Sequence, residues 1–286
     1  MAIMLPVPLV GTDWLAEHLG RPGLVVLDAS WYLPQMNRDP LREYRAGHIP
    51  GALFWDLEAM SDASSSLPHM LPPPDQAAQR IGALGVSNAD AVIVYDGSGV
   101  NLSAPRAWWH FRVLGHERVA VLDGGMTRWR AEGRAEESGD ATRPPATFRA
   151  AVEPRLVRSI AQVRSAVGNP AIGLVDARSA GRFEGREPEP RPGLAGGHIP
   201  GAKNLPFAQV LDGSGRLLPP VELKARFESV GIDLAKPVIA TCGSGVSAAA
   251  LALGLEVAGH RDYAVYDGSW AEWGGRDDTP IETGPA

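Results

Sequence analysis

Short apolar runs punctuate the chain at intervals too long for an antiparallel meander. Val25 to Leu27, Ala91 to Tyr95, Val119 to Leu122 and Val238 to Ala240 are nearly free of polar residues, the pattern of strands buried on both faces. Segments of helical spacing lie between them. Asp75 to Leu84, Ala104 to Leu114 and Val221 to Ser229 each place apolar residues three or four apart. Thr12 is placed to cap a short helix running to Leu19. Ala248 to Leu253 has almost no polar face and predicts a buried helix. Strands alternating with helices predict an α/β fold, a parallel sheet with helices on both faces.

The pattern occurs twice. Leu24-Val25-Val26-Leu27-Asp28-Ala29-Ser30 matches Ile172-Gly173-Leu174-Val175-Asp176-Ala177-Arg178. Gly47-His48-Ile49-Pro50-Gly51-Ala52 recurs as Gly197-His198-Ile199-Pro200-Gly201-Ala202. Val92 to Val100 recurs as Val238 to Val246, and Val121-Leu122-Asp123-Gly124-Gly125 as Val265-Tyr266-Asp267-Gly268-Ser269. Four blocks keep one order at a spacing of about 150 residues, far beyond any solenoid period. The chain is therefore a tandem duplication: residues 1–137 form one domain, 138–152 a polar linker rich in turn formers, and 153–286 a second domain. Duplication of the Gly-His-Ile-Pro-Gly turn makes His48 and His198 structural turn residues. The tail from Asp277 to Ala286 shows no periodicity.

Composition narrows the class. A chain of 286 residues suits two domains of ordinary size, and 44% hydrophobic with 21% charged residues is the balance of a soluble protein. A net charge of −6 argues against a general nucleic-acid binder. No apolar run is long enough to span a membrane, and the first residues lack a basic region followed by an apolar core. A single cysteine, Cys242, allows no internal disulfide. A cytoplasmic location with reduced thiols is the expectation.

Cys242 ends one of the apolar runs and is followed by Gly243-Ser244-Gly245-Val246-Ser247 and the apolar helix. Two glycines let successive backbone N–H groups turn inward as an anion-binding nest, to which the helix N-terminus adds positive potential. A cysteine in such a place acts as a thiolate nucleophile, whereas a packing cysteine has no use for a glycine-rich loop. Ligands of parallel sheets bind beyond the carboxyl ends of the strands, where Cys242 is expected. The repeat puts Asp96 at the corresponding position. A carboxylate would compete with an anionic ligand for the nest, and its expected role is to cap the loop that follows.

This loop resembles that of the rhodanese sulfurtransferases. Cys-Gly-Ser-Gly-Val is most similar to the branch using 3-mercaptopyruvate; the thiosulfate-using branch typically carries Cys-Arg-Lys-Gly-Val. The resemblance covers nearly the whole chain and implies two rhodanese domains, the first inactive and the second forming a persulfide on Cys242. Gly181-Arg182-Phe183 and Glu187-Pro188-Glu189-Pro190-Arg191 match the family's substrate-binding motifs, so Arg182 and Arg191 are the expected carboxylate and ketone anchors. Arg186 has no counterpart, and the first half lacks the motif. The loop N–H groups of Gly243, Ser244, Gly245, Val246 and Ser247 are expected to stabilise the sulfur anion. His69-Met70-Leu71-Pro72 resembles a family segment whose histidine faces the cysteine loop, which implies that His69 acts through Ser244. The carboxylate that completes this relay in the family falls on Glu58, with Asp62 nearby.

The implied reaction moves sulfur from 3-mercaptopyruvate to Cys242, releases pyruvate, and passes the sulfur to a thiol, cyanide or thioredoxin-like acceptor. It needs no metal or organic cofactor, and the sequence has no Cys/His spacing for zinc. Three rivals remain. A thiosulfate sulfurtransferase would favour cations within the loop, which Gly243 and Ser244 do not supply. A cysteine phosphatase of this fold needs an arginine where Ala248 stands. Against a non-catalytic sulfur carrier or regulatory binding protein stands the intact Cys242 loop.

Overall fold

The computed structural model describes residues 3–286, which cluster into two compact units. In the first unit the strands are β1 (Leu9–Val10), β2 (Leu24–Asp28), β3 (Leu53–Phe54), β4 (Ala91–Tyr95) and β5 (Val119–Leu122). They form a parallel sheet in the order β1-β5-β4-β2-β3. The second unit repeats this with β6 (Val157–Arg158), β7 (Gly173–Asp176), β8 (Lys203–Asn204), β9 (Val238–Thr241) and β10 (Tyr263–Tyr266) in the order β6-β10-β9-β7-β8. The central strands β4 and β9 are buried along their whole length, as unbroken apolar runs require.

The helices are α1 (Thr12–His18), α2 (Pro40–Ala46), α3 (Pro74–Ala83), α4 (Ala104–Val113) and α5 (Gly125–Ala131) in the first half of the chain. The second half has α6 (Ile160–Ala166), α7 (Ala180–Phe183), α8 (Pro220–Ser229), α9 (Val246–Val257) and α10 (Ser269–Trp273). The predicted strands and longer helices fall within a few residues of these bounds. Thr12 does not cap α1: Gly11 holds the N-cap position, and Thr12 is a buried first helical residue. The short helices α2, α5, α7 and α10 have too few turns for a periodic pattern and escape a reading by spacing.

Sequence halves and structural units do not coincide everywhere. Ser64–Met70 belongs to the second unit, and Gly213–Leu217 belongs to the first. Within the first unit Asp123 accepts from Leu217 N and Arg216 Nε, both at 2.9 Å, and Asn101 Nδ2 donates to Gly215 O at 3.0 Å. The later part of the polar 138–152 stretch lies along the first unit. Ala146 N donates to Gly82 O, Ala151 N to Leu114 O, and Phe148 is buried against Phe111 and His116.

The duplicated turns are structural. His48 Nδ1 lies 2.9 Å from Tyr44 O and its ring stacks on Tyr44; His198 Nδ1 lies 2.8 Å from Phe183 O and stacks on Phe183. A backbone bridge closes each turn, His48 with Glu137 and His198 with Glu282. The aperiodic tail thus packs back onto the second turn.

Candidate active site

β9 ends at Thr241, and the loop Cys242–Gly245 leads into α9, which is buried from Ala248 to Glu256. A helix that is apolar from Ala248 to Leu255 fixes its N-terminus against the sheet. Gly245 turns the chain into the helix at φ 76°, a left-handed conformation that strains other residues. Cys242 is 1% exposed. The N–H groups of Gly243 and Ser244 have no acceptor among the described residues. Those of Val246 and Ser247, first and second in α9, have no partner within the helix. Gly245 differs from the other four: its N–H donates to Ser269 Oγ at 3.0 Å.

Ser244 Oγ lies 3.0 Å from Nδ1 of His69. His69 comes from the first half of the sequence but belongs to the second unit, where it is buried at φ 59°. A left-handed histidine persists only where its surroundings dictate it. Glu58, the carboxylate expected beside His69, belongs to the first unit, where it accepts from the Trp31 indole at 3.0 Å. Asp62 is also part of the first unit.

Arg182, on α7, lies against the cysteine loop. A β-carbon added at Gly243 would sit 2.9 Å from Arg182 Nη2. The guanidinium is oriented by Glu189, which accepts from Nε at 3.2 Å and from Nη2 at 2.5 Å. The paired N–H edge is therefore committed to Glu189. Arg191, two residues beyond Glu189, is half-buried, and Arg186 is exposed and paired with Glu184 at 2.5 Å.

Two groups escaped the sequence reading. Arg178 is fully buried, forks onto Asp176, reaches Glu189 Oε1 at 2.8 Å, and stacks its guanidinium 4.3 Å from the Trp270 ring. Burial alone would favour its neutral form, but the charges of Asp176 and Glu189 hold it above its ordinary range. Asp176, Arg178, Glu189 and Arg182 form a chain of alternating charge ending at the loop. The second group is Ser269, whose hydroxyl bonds the loop backbone. The signal for both lay in the differences between the copies: Ser30 against Arg178, and Gly125 against Ser269.

The corresponding loop of the first unit is arranged differently. Asp96 is buried and fills its own loop: Oδ1 accepts from Ser98 N and Oγ, and Oδ2 from the N–H groups of Ser103 and Ala104 at 2.9 Å. An arginine stands here too, although the first half has no Gly-Arg-Phe motif. Arg38 donates to Gly97 O at 3.1 Å, but Glu43 and Tyr32 also hold its guanidinium, which keeps the Glu43 carboxyl below the usual carboxylate range.

Known proteins resemble this chain along nearly its whole length. A rhodanese-like domain model matches residues 11–132 and again 159–276. Thiosulfate/3-mercaptopyruvate sulfurtransferase 1, mitochondrial, of Arabidopsis thaliana is 48% identical over 96% of this chain and 78% of its own length. The human 3-mercaptopyruvate sulfurtransferase is 44% identical over 93% and 91%. The crystal structure of SseA, a 3-mercaptopyruvate sulfotransferase from Escherichia coli, superposes with a TM-score of 0.84 at 41% identity, over 92% of this chain and 98% of SseA. With both halves matched and the parallel sheets duplicated, the chain belongs to the rhodanese-like family, as a protein of two such domains.

Proposed function

We propose that the protein is a 3-mercaptopyruvate sulfurtransferase. The observation that carries this is the cation-free loop Cys242–Ser247 flanked by two devices suited to that donor. One is Arg182 against Gly243, placed for an α-keto acid; the other is a hydroxyl–imidazole pair, Ser244 and His69, placed for a proton. The names of the human and Escherichia coli relatives support the same donor.

In this reading the Cys242 sulfur attacks the sulfur of 3-mercaptopyruvate. A sulfur–sulfur bond forms, the carbon–sulfur bond breaks, and its electron pair leaves on pyruvate enolate. Arg182 and Arg191 hold the carboxylate and ketone. The N–H groups of Gly243, Ser244, Val246 and Ser247 face the sulfur, with Gly245 backing the loop. Ser244 delivers the proton that turns enolate into pyruvate and is resupplied through Nδ1 of His69. The persulfide then passes to a small thiol, cyanide or a thioredoxin-like protein. The first domain, whose loop Asp96 occupies, carries no sulfur. A cytoplasmic site of action is part of the proposal; among the described residues no helix is long and apolar enough to cross a membrane. Thiosulfate is the second donor to consider, because the Arabidopsis relative is named for both.

The test is pyruvate release from 3-mercaptopyruvate by the purified protein, run beside thiosulfate with cyanide as acceptor. Turnover with 3-mercaptopyruvate is expected to exceed that with thiosulfate. Cys242→Ser is expected to abolish both, and the donor-treated wild type should gain the mass of one sulfur on the Cys242 peptide. Substantial turnover in Cys242→Ser, or a preference for thiosulfate in the wild type, would defeat the assignment.

A further inference from the structure

The two copies of the loop are held in opposite ways. In the first unit the fixing acceptor is inside the loop: the Asp96 carboxylate gathers the N–H groups of Ser98, Ser103 and Ala104. In the second unit a sulfur takes that position, and a thiol cannot gather three backbone donors. The acceptor has moved outside. Ser269 Oγ accepts from Cys242 N at 3.2 Å and from Gly245 N at 3.0 Å, and donates to Tyr266 O at 2.8 Å. The next two residues complete the hold: Trp270 N donates to Cys242 O and Ala271 N to Gly243 O, both at 2.9 Å. The loop is thus pinned at four backbone atoms, and the N–H groups of Gly243 and Ser244 take no part in these bonds.

Ser269 is 0% exposed and holds φ 49°. The described non-glycine residues at positive φ are Asn37, His69, Asn101 and Ser269, and two of them bond the cysteine loop. Nothing about the turn itself demands serine. Gly125 occupies the same place in the first unit at φ 53°, with the matching bond from Met126 N to Asp96 O at 3.0 Å. A β-carbon there would lie 2.6 Å from Asp96 O, so that copy excludes a hydroxyl. The second copy accepts backbone strain and gains one neutral acceptor beneath the nucleophile. Neutrality matters, because a carboxylate at this point would set a negative charge against the thiolate, the persulfide and an anionic donor.

We infer that Ser269 is the positioning residue of the sulfur-transfer site: its hydroxyl takes over the loop-fixing function of Asp96, organising the sulfur-facing N–H groups without adding charge. The inference rests on Cys242 being the nucleophile but not on which donor it uses.

The experiment compares wild type with Ser269→Gly and Ser269→Ala. The glycine variant has the residue that the first unit already uses; relief of the backbone strain offsets part of the two lost acceptor contacts, so it should stay folded at the assay temperature with a lowered thermal midpoint. Three quantities are read: kcat, KM for 3-mercaptopyruvate, and the rate of Cys242 alkylation by iodoacetamide at fixed pH without donor. Misplaced oxyanion-type donors typically lower turnover by about 10- to 100-fold or more, so kcat should fall on that scale with KM little changed. Alkylation should slow in both variants. A folded glycine variant with kcat and alkylation near wild type overturns the inference. So does a loss of activity that merely follows the fraction unfolded, or one confined to KM. If the wild type releases no pyruvate while alkylation still slows in the variants, the donor assignment fails and the inference stands.

Discussion

At the scale of single residues, Gly243 and Arg182 belong to one design. Gly243 does not hold a left-handed conformation; its missing side chain makes room for the guanidinium, whose Nη2 would lie 2.9 Å from a β-carbon. Gly243→Ala should therefore push Arg182 off its Glu189 fork while leaving the nucleophile in place. Loss of one charge-assisted contact of at least 1.4 kcal/mol corresponds to roughly a tenfold rise in KM for 3-mercaptopyruvate, with kcat nearly unchanged. Steady-state kinetics decide it, and an unchanged KM would show that Arg182 does not meet the donor. Gly243→Arg, which would supply the cation of the thiosulfate-type loop, puts a second guanidinium where Arg182 already lies.

At the scale of elements, the unit strand–loop–helix serves two purposes in one chain. β9, the cysteine loop and α9 present a buried thiol; β4, the Asp96 loop and α4 present a self-satisfied carboxylate. Converting one into the other takes more than the residue at the tip. Asp96→Cys strips acceptors from three buried or half-buried backbone donors. At about 1–3 kcal/mol for a buried donor left unsatisfied, it should destabilise the first unit by several kcal/mol. Gly125 offers no hydroxyl to replace them, and Glu43 occupies Arg38. The double variant Asp96→Cys, Cys242→Ser is therefore expected to show a lowered denaturant midpoint for the first unit and no sulfur transfer. Turnover near wild type would mean that the loop alone is sufficient.

At the scale of the whole molecule, acid should loosen the first unit through its buried imidazoles. His110, on α4, is buried against the Trp55 ring, and burial pushes its imidazole from an ordinary 6.5 down to about 3, with the Arg106 charge acting the same way. Burial also lowers His116. Between those two values the unfolded chain binds a proton that the folded unit refuses. Stability is therefore complete above pH 6.5 and is lost as pH falls toward 3. The Glu43 carboxyl, held low by Arg38, begins to matter only further down. Calorimetric midpoints should decline from about pH 6.5 to 4.5, and His110→Leu should flatten that decline. A variant as acid-sensitive as the wild type would assign the loss to other groups.

Hydrophobic periodicity and duplication carried most of the architecture, because both are written in nearest-neighbour order. Buried strands read as unbroken apolar runs, and a repeated domain shows itself whatever its contacts. The setting of Cys242 was legible for the same reason: strand, cysteine, glycine-rich turn and helix are consecutive from Val238 to Val257. Short helices such as α7 and α10 were not, since four or five residues show no period. What only the tertiary structure decided are pairings between distant positions. His69 meets Ser244 across 175 residues of chain, and Ser269 reaches Cys242 across 27. Glu189 turns a fork of Arg182 inward that motif matching would have left wholly to the substrate. A side chain's role in such pairs depends on where the backbone brings it and on which donors burial leaves unsatisfied. Neither is a local property of the sequence, so identity alone could name Arg178 and Ser269 but could not say that one orders the arginine chain and the other the loop.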